Sequence, residues 1–176
     1  MPRIAFMTFG VMVAPPGTPE VEDFEARLEA TFEQAASMDG YIDRGRKPVP
    51  WLDGVADEEQ DWGAWGPYRR TAFYRPALGS GDDREASTLS LWRNLESVRA
   101  FAYGGLHRDA LRLRAEWFLP RQWPSYVAWW VADHEVPSWA EAAGRLEHLH
   151  AHGPSAFAFD FRHAFDADGA PVPSAR

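Results

Sequence analysis

The chain has 176 residues, 25% of them charged, with a formal net charge of −8, no cysteine and nine tryptophans. That length predicts one domain with a full hydrophobic core. Lack of cysteine excludes disulfides, zinc–thiolate sites and thiol nucleophiles, and the acidic balance argues against nucleic acid, since phosphate binding needs a basic field.

From the N-terminus, "RIAFMTFGVMV" is an apolar run with aromatic members bounded by "APPG", which predicts a buried strand over residues 3–13. The opening lacks the charged head and cleavage site of a signal peptide, and no segment approaches the ~18 apolar residues of a membrane span. The expectation is a cytoplasmic protein with no membrane partner. Val21, Phe24, Leu28, Phe32 and Ala35 keep the spacing of one helical face, Glu22, Asp23 and Glu25 fill the first turn, and Gly40 ends the helix. Tyr41 to Asp43 predicts a second strand.

Residues 45–84 lose all periodicity and carry Trp51, Trp62 and Trp65. A loop this long is expected to be a lid or a mobile insertion, although its tryptophans argue against plain disorder. "TAFYRP" is a candidate short strand inside it. Next come a strand at 87–92, a helix capped by Asn94, a break at Gly104 and Gly105, and a second helix. "SYVAWWVA" predicts a strand at 125–132, Ser138 with Glu141 forms a capping box for another helix, and Gly153 with Pro154 stops it. "AFAFDF" alternates as a last strand, and residues 166–176 read as a flexible tail. The order describes an α+β domain over residues 1–165, an antiparallel sheet with helices on one face. The bare second face predicts a twofold homodimer.

The chemical signal lies in "FAYGGLHRDALRLRAEWF", residues 101–118, where His107 and Arg114 share the apolar stripe of Leu111 and Phe118. A charged group turned toward a core must be paired or face a cavity. One reading makes His107 an acid/base, with Tyr103 as hydrogen-bond donor and Arg114 as anchor for a carboxylate or enolate. The other is an internal network, with Arg114 paired to Glu141 or Glu96 and His107 on a backbone carbonyl. Phe101, Trp117, Phe118, Trp129 and Trp130 are the expected walls for a flat, mostly apolar small molecule. The segment is also basic, with Arg99, Arg108, Arg112, Arg114 and Arg121, which suits an anionic ligand or a partner surface.

No cofactor is required by this set. Haem is the alternative, with His107 as axial ligand and Arg114 on a propionate; a noncatalytic ligand-binding or interaction protein is another. His148 and His152 share a helical face that suits a metal, but the last turn of a helix also favours such residues in contact with solvent. No phosphate-binding glycine loop or nucleophile elbow is present.

The ordered set Phe101, Tyr103, His107, Arg114, Trp117, Phe118, Trp129, Trp130, Pro137, Glu141, Arg145, Leu146, Gly153, Pro154 and Phe157 resembles the family labelled domain of unknown function 3291. The resemblance implies a ferredoxin-like domain of the dimeric α/β-barrel superfamily, with a pocket between sheet and helices. That superfamily includes cofactor-free monooxygenases, cyclases, isomerases and haem proteins, among which fold analogy does not choose.

Overall fold

The run "RIAFMTFGV" forms the strand β1 (Arg3–Val11) of an antiparallel sheet seen in a computed structural model, which describes residues 1–50, 52, 55–75 and 83–173. Its neighbours are β2 (Tyr41–Arg44), β3 (Glu85–Trp92) and β4 (Tyr126–Val131), in the order β2-β3-β1-β4. The register sets Phe6 opposite Ser90 and Ala128, and Thr8 opposite Thr88 and Tyr126. Side chains alternate along a strand, so these residues share one face with Ile4 and Gly10. Ala5, Met7, Phe9 and Val11 take the other.

Each face carries its own core. On the first, Ile4, Phe6 and Trp92 pack with Ala35 of α1 (Glu22–Ser37) and with Leu95, Val98 and Phe101 of α2 (Leu95–Ala102). Helix α3 (Gly105–Trp117) lies beside α1. On the second, Met7, Leu89 and Trp129 pack with Trp139, Ala142, Leu146 and Leu149 of α4 (Trp139–His152), and with Trp65 and Tyr68. The expected placement of all helices on one face is therefore corrected. The apolar stripe of α4 covers the face that seemed bare, and the argument that a second copy must cover it falls away.

Helix boundaries follow the local chemistry. The Asn94 side chain accepts from Ser97 N at 2.8 Å, and Ser138 Oγ accepts from Glu141 N at 3.1 Å. Gly105 has φ +48 and separates α2 from α3, a conformation open to glycine at little cost.

Two local expectations change. Residues 156–161 form no strand; their backbone pairs with β4 in a single bridge, where Ala128 and Phe159 exchange bonds of 2.8 and 3.0 Å. Residues 71–75 are not a strand, and Pro76 lies outside the described residues. In the segment expected to be a tail, Asp166 N donates to Ala170 O and Val172 N to Ala164 O, both at 2.8 Å, and residues 174–176 lie outside the described residues.

The described part of the 45–84 insertion is anchored to the second face; Trp51 lies outside it. Arg70 contacts Asp83 at 2.6 Å, Glu58 at 3.0 Å and Asp57 at 3.3 Å. Ala72 N donates to Glu147 at 2.7 Å, and Phe73 stacks on Trp123 with rings 8° apart.

Candidate functional site

The first face is where polar groups interrupt the core. Beyond Phe6 the β1 run supplies Thr8 and then Gly10, and their partners on β3 are Thr88 and Ala86. Here α1 and α3 stand off the sheet. They leave a cleft with Phe6, Thr8, Gly10, Thr88 and Tyr126 on its floor and Phe24, Leu28, Phe32, His107, Leu111 and Arg114 on its roof. Its volume is about 1110 Å³, because it continues past the edge of β3 that β2 leaves unpaired, as far as Tyr68 and Glu85. Thr8 Oγ1 and Thr88 Oγ1 are 2.7 Å apart. One hydroxyl must donate to the other, so the second hydroxyl's hydrogen remains free for another acceptor.

His107 sits in the first turn of α3, mostly buried, with its ring 4.7 Å from that of Phe101. Its Nδ1 lies 2.7 Å from the carbonyl oxygen of Ala102. A carbonyl only accepts, so Nδ1 carries the proton, and in the neutral ring Nε2 is the basic atom. Burial lowers the pKa, against the opposing effect of that hydrogen bond. The imidazole therefore stays neutral at pH 7 with a fixed tautomer.

Arg114, two turns on, has no carboxylate partner among the described residues. Its guanidinium lies 5.5 Å from the Phe118 ring centroid, and burial followed by the charge of Arg121 lowers its pKa. The expected pairing with Glu141 or Glu96 does not form, since Glu141 pairs with Arg145 at 2.7 Å. Tyr103 stands at the cleft mouth, 55% exposed, with its ring 5.9 Å from Phe161. Nearby, the Tyr126 hydroxyl accepts from Phe161 N at 3.1 Å, and its pKa is raised mainly by burial.

The aromatic expectations divide. Phe101 stacks between Trp92, at 5.2 Å, and His107, and it lines the cleft. Trp117 and Phe118 close its far end against Phe24, at 5.5 and 5.1 Å. Trp129 and Trp130 lie away from it: Trp129 is fully buried in the second core, and Trp130 Nε1 donates to Phe165 O at 2.8 Å. Adjacent strand residues point to opposite faces, so the pair could not have formed one wall.

Sequence reasoning missed the floor hydroxyls, although the alternation within "FMTFG" already put Thr8 and Gly10 on one face. It also missed Glu85. That side chain is fully buried, with Oε1 accepting from Tyr68 Oη at 2.7 Å and Ser87 Oγ at 2.8 Å, while Arg70 Nη1 is 3.9 Å from Oε2. Burial raises its pKa above the ordinary carboxylate value. The His148 and His152 rings are 4.6 Å apart, and no group of three or more His, Asp or Glu able to hold a metal occurs among the described residues.

A family profile described as Domain of unknown function (DUF3291) matches residues 3–175. No curated protein and no solved structure matches the chain.

Proposed function

Since the chain belongs to the family described as Domain of unknown function (DUF3291), whose description names no activity, we propose from the site itself that it acts on a flat, mostly apolar small molecule by cofactor-independent acid/base chemistry. The observation that carries this reading is His107: a neutral imidazole of fixed tautomer on the wall of an aromatic cleft. Its Nε2 removes a proton from a carbon acid or phenol and returns it at another atom, as an isomerisation or cyclisation requires. Tyr103 donates a hydrogen bond to the developing oxyanion, and Arg114 anchors the ligand's negative charge. In a monooxygenase-like version of the site dioxygen is the co-reactant and the deprotonated substrate is itself the reductant: a CH2 group becomes C=O with one oxygen atom, and the other leaves as water. The strand order β2-β3-β1-β4 supports a ferredoxin-like arrangement for the domain. Kinship with dimeric α/β barrels would then rest on the subunit, whose second face is filled by α4 and the insertion.

Deuterium uptake from D2O into 2-tetralone, a flat enolisable ketone, tests the reading. The wild-type protein accelerates exchange, and His107→Ala abolishes the acceleration with its circular dichroism unchanged. Equal rates for the two proteins would overturn the assignment of His107.

One observation also favours a second reading. A metal-ligating histidine commonly donates its other ring nitrogen to a backbone carbonyl, as His107 does to Ala102. If haem binds, His107 Nε2 is the atom available to hold it. Hemin titration that develops a sharp Soret band in the wild type and none in His107→Ala would establish this alternative.

A further inference from the structure

The basic end of the cleft is chemically incomplete. Arg114 and Arg121 both border the main cleft and a smaller side cavity of about 220 Å³, which Phe9, Gly10, Val11, Tyr74, Leu119 and Trp123 also line. Arg114 is partly buried and Arg121 is exposed, and neither has a carboxylate partner among the described residues. The charge of Arg121 acts on Arg114, and both side chains line the same small cavity. Holding a half-buried guanidinium beside a second one without a counterion is unfavourable, since low dielectric strengthens repulsion and weakens hydration. An anion between them would reverse the sign of that interaction, and arginine's planar fork suits a carboxylate or phosphate in particular. The rest of the side-cavity lining is aromatic and aliphatic apart from Gln122, Ser125 and the Tyr74 hydroxyl, and it includes no carboxylate.

We propose that the side cavity between Arg114 and Arg121 is an anion subsite, and that the ligand is an amphipathic anion whose charged head occupies it while its flat apolar body lies over Thr8 and Thr88 in the cleft. The inference rests on the reading of the cleft as a small-molecule site and narrows its ligand to acids. The geometry fits because Gly10, Arg114 and Arg121 line both spaces, so the charged head and the flat body of one ligand would occupy adjoining spaces. Glycine is needed at this junction, where a Cβ at residue 10 would come within 2.6 Å of the Phe118 ring.

The test is isothermal titration calorimetry of the full chain at pH 7 with three probes of one flat body: 2-naphthoate, 2-naphthyl phosphate and uncharged 2-naphthol. The acid or the phosphate ester should bind at least about tenfold more tightly than the alcohol, as expected for charge-assisted hydrogen bonds. The tighter of the two identifies carboxylate or phosphate as the natural head group. Arg121→Gln, at an exposed position, should remove most of that preference and lower naphthol affinity far less than anion affinity, and Arg114→Gln should act in the same direction. Naphthol binding with no preference for either anion, or a preference indifferent to Arg121→Gln, overturns the subsite and leaves the cleft reading standing. Failure of all three probes to bind the wild-type protein overturns both.

Discussion

At the scale of single residues, the site depends on burial setting protonation states. His107 has its pKa lowered from 6.5 chiefly by burial. The unfolded chain then takes up a proton at a higher pH than the folded protein does. Stability from this group is complete above about pH 6.5 and is lost as pH falls from there through the folded pKa. In an NMR titration the His107 ring should show a midpoint below 6.5; a midpoint at or above that value would contradict a buried, neutral base. Glu85 behaves in the opposite sense. Its pKa is raised from 4.5 by burial, so the folded protein binds the proton more tightly, and its contribution declines as pH rises through the folded pKa. Glu85→Gln keeps an acceptor for Tyr68 and Ser87 without a buried charge, so at pH 7 it should be neutral or stabilising. Glu85→Ala strands two hydroxyls and should cost about 1–3 kcal/mol. Urea denaturation of both variants checks this, and equal losses would contradict it. His107 and Arg114 were legible in the sequence because polar residues on an apolar helical stripe stand out. Glu85 was not, because it opens a strand among polar neighbours and only Tyr68, seventeen positions earlier, reveals that it is buried.

At the scale of elements, periodicity and caps were readable, and contacts between distant segments were not. Asn94 and Ser138 cap α2 and α4 through short local bonds, so each was visible within a few residues. Replacing either by Ala should cost about 1 kcal/mol, measured as a shift in denaturant midpoint with unchanged slope. The "AFAFDF" segment misled because alternation implies a strand only if a neighbour pairs along it, and β4 is paired with β1 on its other edge and meets this segment at one bridge. Gly10 shows the long-range limit most clearly. Nothing local announces that the Phe118 ring lies against it, yet a Cβ there would meet that ring at 2.6 Å. Gly10→Ala should therefore destabilise by about 1–3 kcal/mol through overpacking and, by displacing Phe118 from the guanidinium, weaken binding of 2-naphthoate. Unchanged stability and affinity would mean that Phe118 is free to move aside.

At the scale of the whole molecule, the arrangement is one sheet between two unlike layers. The α1, α2 and α3 side holds the cleft, and the α4 side, sealed by the insertion, is a dense core built on Trp129 and Trp139. The sequence showed the strands and helices but not which face α4 would choose, since its stripe of Trp139, Ala142, Leu146 and Leu149 fits either side of an apolar sheet. Arg70 fastens the insertion through Asp57, Glu58 and Asp83. Arg70→Ala should consequently expose the 45–84 segment to limited proteolysis while the rest of the chain resists; an unchanged cleavage pattern would assign the anchoring to Phe73 and Glu147 instead.

The central claim is that a flat ligand binds on the Thr8 and Thr88 face of the sheet, against His107. Amide chemical shifts of the full chain during titration with 2-naphthoate test it most directly. The account predicts saturable shifts concentrated at Thr8, Gly10, Thr88, His107, Leu111 and Arg114, with Leu146, Val127 and Val131 unmoved. Shifts confined to the α4 side or the insertion, or none at all, would contradict it.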